Sequence, residues 1–285
     1  MTEVIAEIGI NHNGSIELCK DLINLSKISG IKYVKIQKRN PDICVPEHQK
    51  NVIRKTPWGE MTYLDYKKRI EFSEEQIKEL IEYSKNLGIV FFASVWDMDS
   101  LYTMAKYTDI VKIPSALITD IELCKAARDN FKLLIVSTGM SSEEEIEKCV
   151  NNCQPNVIMH TNSTYPCSPD ELNLRYMEHL QQKWGENAVI GYSGHEYGIV
   201  TTFAAVAMGA KWVERHITLD QNMWGSDHKS SINPEGLIKL VRGIKAIDSA
   251  CKYPPGPRIE FASEIDKKKS LRKKHGNKHR WSYMS

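Results

Sequence analysis

No run in the chain approaches the roughly 18 consecutive apolar residues that a membrane-spanning helix requires. Met1 leads into a short strand-like stretch without a basic-then-apolar leader. A cytoplasmic location with no membrane partner is the expectation. Dinucleotide and nucleotide fingerprints are also missing, since neither Gly-x-Gly-x-x-Gly nor a P-loop follows the first apolar run. Cysteine is sparse and shows no pairing pattern. The seven (Cys19, Cys44, Cys124, Cys149, Cys153, Cys167 and Cys251) are odd in number and scattered, which argues against a disulfide framework. Cys149 and Cys153 stand at i, i+4, but no second Cys or His pair follows nearby to complete a zinc site, so packing is their expected role. Charge of either sign is not in excess, the formal net being +2. That balance hides an asymmetry: Glu264 to Ser285 holds eight Lys/Arg against two acids, and the remainder is mildly acidic. No nucleic-acid-binding motif accompanies the basic stretch, so a solvated extension with no nucleic-acid partner is expected.

What the chain does have is rhythm. Its 285 residues, 41% of them hydrophobic, suffice for one large domain. Short apolar runs alternate with amphipathic stretches throughout. Strands are expected at Val4–Ile10, Tyr33–Gln37, Val90–Ser94, Ile110–Ile113, Leu133–Ser137, Val157–His160, Ala188–Ser193 and Trp212–His216. Helices are expected at Ile16–Ser29, Glu74–Leu87, Ser100–Lys106, Ile121–Asn130, Glu143–Cys153, Leu172–Lys183, Val200–Met208 and Pro234–Ala250. Ser73 and Ser142, each with an acidic run behind it, read as helix caps, and Gly30 and Gly88 as helix stops. Eight βα units predict a closed (β/α)₈ TIM barrel of the α/β class. Residues 1–252 would form this barrel, interrupted by an insertion at 38–71 that reads as a lid or contact loop, and 253–285 would form a basic tail.

In such a barrel the chemistry gathers at the C-terminal strand ends. Here those ends supply Glu7, Lys35, Gln37, Ser94, Lys112, Ser115, Ser137, His160, Ser163, Ser193, His195 and His216. Buried charge without a partner is costly, so two lysines, three histidines and several hydroxyls on one rim describe a pocket for an anionic, phosphate-bearing ligand. His195 and His216 stand 21 residues apart with a small-residue helical stretch between them. At the ends of two neighbouring parallel strands their imidazoles would converge on one divalent cation.

The same residues carry a resemblance. Ala6-Glu-Ile-Gly-Ile-Asn-His-Asn-Gly14, Val34-Lys-Ile-Gln37, Ser137-Thr-Gly-Met140, Ser163-Thr-Tyr-Pro166, Gly191-Tyr-Ser-Gly-His195, Glu214-Arg-His216 and Gly225-Ser-Asp-His228 occur in order. Together they resemble the sialic acid synthase family, the phosphoenolpyruvate-dependent nonulosonate synthases. The resemblance implies condensation of phosphoenolpyruvate with an aldose, N-acetylmannosamine or a related acylamino hexose, to a 2-keto-3-deoxy sugar acid and phosphate. It implies a divalent metal on His195 and His216, manganese first, with magnesium or cobalt as alternatives, and a homodimer. It places phosphoenolpyruvate on Ser94, Lys112, Ser115, Ser137, Ser163 and Ser193. The sugar falls to Glu7, Lys35, Gln37, Tyr165 and Asp227, with Glu7 as the proton-transfer group. Many family members carry a C-terminal antifreeze-like domain that this sequence does not show, so the 38–71 insertion or the tail is expected to close the mouth. Two other readings compete: a 3-deoxy-octulosonate-type synthase, using Lys38 and Arg39 for a sugar phosphate, and a catalytically silent barrel acting as a binding scaffold.

Overall fold

The computed structural model describes residues 1–272. It divides into two units, Met1–Cys251 and the segment that follows.

Eight strands close the barrel of the first unit: β1 (Glu3–Gly9), β2 (Tyr33–Lys38), β5 (Val90–Val95), β6 (Ile110–Ile113), β7 (Leu133–Ser137), β8 (Val157–Thr161), β9 (Val189–Gly194) and β10 (Trp212–His216). All neighbours run parallel, and β10 returns to pair with β1 through Glu7 opposite His216. The helices α1 (Ile16–Ser29), α5 (Glu74–Asn86), α6 (Met98–Ala105), α7 (Ile121–Asn130), α8 (Glu143–Cys153), α9 (Tyr176–Trp184), α10 (Val200–Ala207) and α11 (Pro234–Ala250) surround it. Local chemistry sets their ends. Ser73 and Ser142 each form a reciprocal capping box, with Gln76 and Glu145, and α1 stops where Gly30 adopts φ +82°.

Successive strand residues point to opposite faces, and this parity explains the two cores. Val4, Ala6, Val34, Ile36, Phe91, Ala93, Val111, Leu134, Ile158, Ile190 and Val213 belong to the layer between strands and helices. The alternate residues Ile5, Phe92, Ile135, Val157 and Met159 fill the barrel axis as an apolar floor, with Tyr33, Ile110, Leu133 and Trp212 packed against it. Each such side chain contributes about 1.5–3 kcal/mol by burial. Further along each strand the same inward row turns polar, and that change of character sets the depth of the cavity above.

Between β2 and α5 the chain forms α2 (Pro41–Cys44), α3 (Glu47–Lys50), a hairpin of β3 (Ile53–Thr56) and β4 (Gly59–Thr62), and α4 (Tyr63–Ile70). Tyr66 and Ile70 are buried against Ile10, with Met61 and Tyr63 alongside. Trp58 and Tyr66 approach Trp224 edge-on, with ring centroids 6.0 and 5.2 Å apart, and Asn13 Nδ2 donates to the Trp224 carbonyl at 2.9 Å. The insertion is therefore pinned in cis to the loop after β10.

Two sequence expectations are corrected here. The helix expected from Leu172 begins at Tyr176, because Asn173 turns to φ +44° after a 3₁₀ turn at Pro169–Glu171 and breaks the run. Cys149 and Cys153 do have a third partner. Cys124 of the neighbouring α7 lies 3.7 Å from Cys149, which is itself 3.7 Å from Cys153, in a buried thiol group that sequence proximity could not reveal.

In the second unit, α12 (Ala262–Leu271) carries an ion pair from Lys268 to Glu260 at 3.1 Å, and Tyr253 packs on Phe261. The part of the basic tail beyond residue 272 lies outside the described residues. Among the described residues no helix is long and apolar enough to cross a membrane.

Candidate active site

Glu7, Lys35, Gln37, Ser94, Lys112, Ser115, Ser137, Ser163, Tyr165, Ser193, His195, His216 and Asp227 all line one cavity of about 310 Å³. That is room for small metabolites. Parity brings the strand residues together: Glu7 follows Ile5, Lys35 follows Tyr33, Ser94 follows Phe92, Lys112 follows Ile110 and Ser137 follows Ile135 on the inward rows. Parity also removes His160 from the rim. It alternates with the inward Met159 and Thr161, so its ring turns to the helices, where Nε2 meets the Leu172 carbonyl at 2.7 Å and Tyr176 packs beside it. Lys38 is likewise absent from the lining, since its Nζ holds Glu71 and the Phe72 carbonyl, each at 3.0 Å.

Two lysine–carboxylate pairs occupy the bottom of the cavity. Lys35 pairs with Glu7 and donates to Ser94 Oγ at 2.7 Å. Lys112 Nζ lies 2.6 Å from Glu214 Oε1, which also accepts from Ser193 Oγ at 3.3 Å and faces Lys35 Nζ at 3.7 Å. All four charged groups are at most 4% exposed. Burial pushes Glu214 up, but Lys112 and Lys35 outweigh it and leave its carboxyl at about 2. Glu7 goes the other way: burial, reinforced by the nearby Glu214 charge, raises it despite Lys35. The two carboxylates thus move in opposite directions: Glu214 is held low by two lysines, and Glu7 is raised by burial beside one.

On the far side the hydroxyls surround the turn after β7. Gly139 N donates to Ser115 Oγ at 3.1 Å. A Cβ on Gly139 would stand 2.9 Å from Ser115 Oγ and closer still to Ser163 Oγ, so only glycine leaves both hydroxyls and the backbone N–H converging. Ser137 Oγ and Glu214 Oε2 are buried without a hydrogen-bond partner among the described residues. Such groups suit an oxyanion and a donor supplied by a ligand.

The two histidines stand with ring centroids 5.5 Å apart, and Tyr165 stacks on His195 at 4.0 Å. His195 Nδ1 donates to the Asn162 carbonyl at 2.6 Å, leaving the Nε2 lone pair free. Burial, then the neighbouring His216, lowers His195 to about 3. His216 Nδ1 is buried without a hydrogen-bond partner among the described residues, 3.8 Å from Asp227 Oδ2. Two close imidazoles, one with an orphaned nitrogen and one oriented by a carbonyl, fit a divalent ion.

The cavity also contains residues to which the sequence reading gave no role: Glu214, Thr161, Ser226, Trp96 and Lys67, together with Arg39, which it weighed only for a sugar phosphate. Parity was the available signal for Glu214, two residues before His216 on the same strand, and for Thr161. None existed for Lys67, whose place depends on how the insertion folds back.

Comparison with known proteins gives one consistent grouping. A model of the NeuB family matches residues 22–254. The chain is 34% identical over 277 residues to the N,N'-diacetyllegionaminic acid synthase of Campylobacter jejuni, covering 94% of this chain and 81% of that one. It is 34% identical over 258 residues to the N-acetylneuraminate-9-phosphate synthase of Mus musculus, covering 88% and 71%. Among solved structures it superposes on the N-acetylneuraminic acid (sialic acid) synthetase of Leptospira borgpetersenii, determined with citrate. The TM-score is 0.83 at 31% identity, over 96% of this chain and 93% of that one.

Proposed function

The chain belongs to the NeuB family, and from that premise we propose that it joins phosphoenolpyruvate to an acylamino hexose such as N-acetylmannosamine. The products are a 2-keto-3-deoxy sugar acid of sialic-acid type and phosphate. The chain is a sugar acid synthase, as its relatives are. One observation carries the reading: two compensated lysines and a cluster of hydroxyls sit beside a pair of close imidazoles, all above an apolar floor.

Lys112, with Ser94, Ser115, Ser137, Ser163 and Ser193, holds the phosphate and carboxylate of phosphoenolpyruvate by charge-assisted hydrogen bonds, and Lys35 faces the sugar. Gln37, Tyr165 and Asp227 take sugar hydroxyls. As C3 of phosphoenolpyruvate attacks the aldehyde carbon, the carbonyl oxygen gains a proton, and Glu7, raised by burial and held by Lys35, donates it. Water then adds at C2, one of its protons restoring Glu7 and the other leaving with the bridging oxygen in phosphate as the C2 carbonyl forms. His195 and His216 would hold a divalent ion, manganese in this reading with magnesium or cobalt as alternatives, which supplies Lewis-acid polarisation of the aldehyde when bound. The catalytic unit is residues 1–252, working as a cytoplasmic homodimer, a point for sedimentation and fractionation.

The experiment is phosphate release from phosphoenolpyruvate with a panel of aldoses, with bridging-¹⁸O label. The label should leave in phosphate and release should need both substrates. Label retained in the sugar acid, or no aldose-dependent release, defeats the reading.

A further inference from the structure

Three buried thiols have no part in the synthase site. Cys124 comes from α7, and Cys149 and Cys153 stand one helical turn apart on α8, of which Cys153 is the last residue. All three are fully buried. Cys149 Sγ lies 3.7 Å from Cys124 Sγ and 3.7 Å from Cys153 Sγ, and all three sulfurs fall within 4.8 Å of one another. Their other surroundings offer them little. Cys124 Sγ has the Leu117 and Ile118 carbonyls only at 3.7 and 3.9 Å, and Cys149 Sγ finds only sulfur as a hydrogen-bond partner among the described residues. A lone buried cysteine packs as a small hydrophobe, as Cys19 does on α1. Packing does not call for three sulfurs converging from two helices, where any small apolar side chain would fill the space.

The triangle has the size of a metal centre. With two sides of 3.7 Å and a third of up to 4.8 Å, its centre lies about 2.1–2.4 Å from each corner, and a zinc–thiolate bond is roughly 2.3 Å. The electrostatics agree. Cys153 accepts from Cys124 and Cys149 and feels the Arg128 guanidinium, which together hold its thiol below the ordinary range despite burial, so one sulfur already approaches the thiolate that binds metal. The donor set then selects the ion. Sulfur ligands favour soft cations, copper(I) and zinc among them. Zinc in a structural site takes four ligands, but no histidine or carboxylate joins the three thiols among the described residues, and full burial keeps solvent from a fourth position.

We propose that Cys124, Cys149 and Cys153 form a three-thiolate site for copper(I), separate from the imidazole pair of the cavity. Binding displaces thiol protons to solvent, and Arg128 offsets part of the negative charge that remains. The ion enters when the end of α8, where Cys153 stands, opens locally. Once bound it joins α7 to α8, the helices that follow β6 and β7, and so braces the two strands that present Lys112 and Ser137 to the cavity.

The test titrates copper(I) into the full chain, reduced with a phosphine under nitrogen, in competition with bicinchoninate. It uses the wild type, Cys124→Ala, Cys149→Ala, Cys251→Ala and His195→Ala. The wild type should take one equivalent from the chelator, and its Tm should rise as binding to the folded state requires. Cys124→Ala and Cys149→Ala should lose both the equivalent and the rise. Cys251→Ala, which removes an exposed thiol, and His195→Ala should keep both. At the copper absorption edge the bound ion should show three sulfur neighbours and no nitrogen. No withdrawal of copper, an equivalent untouched by loss of either thiol, or nitrogen among the neighbours overturns the inference and returns the trio to packing. Zinc displacing copper(I) from the sulfurs overturns the choice of ion. Should an alanine variant fail to fold, the wild-type absorption edge decides. None of these outcomes bears on the synthase reading, which stands on other residues.

Discussion

At the bottom of the cavity each buried lysine faces a buried carboxylate, Lys35 with Glu7 and Lys112 with Glu214. At the mouth Lys67 and Arg39 stand over aromatic rings with no carboxylate in ion-pair reach among the described residues. The bottom balances its charge within the protein, and so holds its geometry before a ligand arrives. At the mouth the Asp227 and Glu71 carboxylates act on Lys67 only through space, without a direct ion pair among the described residues. Direct pairs fix geometry and through-space charges do not, so substitutions in the two layers should fail differently.

The largest effect is expected beside the paired layer. His195→Ala or His216→Ala should drop turnover at least about 10³-fold, beyond recovery by added metal, whereas the wild type should lose activity to a chelator and regain it on adding manganese. Retained turnover in both variants after chelation would remove the metal from the reading. Next comes Glu214→Gln, which leaves Lys112 and Lys35 short of a counter-ion. Breaking a buried pair costs about 3–5 kcal/mol, so urea unfolding should show a loss of that order together with lost turnover. A stable variant would mean that the lower layer is not organised by its pairs. Gly139→Ala follows: its methyl would crowd Ser115 and Ser163, raising the KM of phosphoenolpyruvate roughly 10-fold while sparing the aldose.

The mouth should respond to pH where the bottom does not. Lys67 is lowered from the usual 10.5 to about 8 by burial and by Arg39 and Arg54, while Asp227 and Glu71 pull it back; Tyr63 and Tyr66 flank it. Its positive charge is present well below pH 8 and is lost progressively as pH rises through that value. Any alkaline fall in kcat/KM for the aldose that comes from loss of the Lys67 charge should centre near pH 8 and disappear in Lys67→Arg. For stability the sign reverses. The folded state binds fewer protons than the unfolded one between about 8 and 10.5, so this group's contribution to stability rises with pH there. A pH profile unchanged by Lys67→Arg would break the contrast between the layers. The smallest effect belongs to Trp58→Ala, which loosens the insertion from Trp224 and should raise the KM of the aldose only a few-fold, on the scale of one aromatic pair.

The sequence disclosed the barrel almost strand for strand because inward and outward residues alternate cleanly: Ile110–Ile113, Leu133–Ser137 and Trp212–His216 are found as expected. The residues of the strand ends were legible for the same reason. The last residue of an apolar run is a weaker guide than parity: His160 ends its run yet faces the helices, whereas Glu214, two residues before His216, faces the cavity. Lys67 and the Cys124–Cys149–Cys153 group were beyond either guide for another reason. Their neighbours are set by how an insertion folds over a mouth and how two helices pack, contacts between residues distant in sequence that no local periodicity records.

The β2–α5 insertion leaves the barrel and returns to it on adjacent strands, with its own hairpin and three short helices. Together with the end of β2 it carries Arg39, Trp58, Tyr63, Tyr66 and Lys67 in one continuous stretch, while the paired lysines and both imidazoles stand at strand ends. One recombination event spanning Lys38 to Glu71 would therefore exchange these lining residues wholesale. A chimaera carrying a relative's segment should inherit that relative's sugar and keep this barrel's reaction.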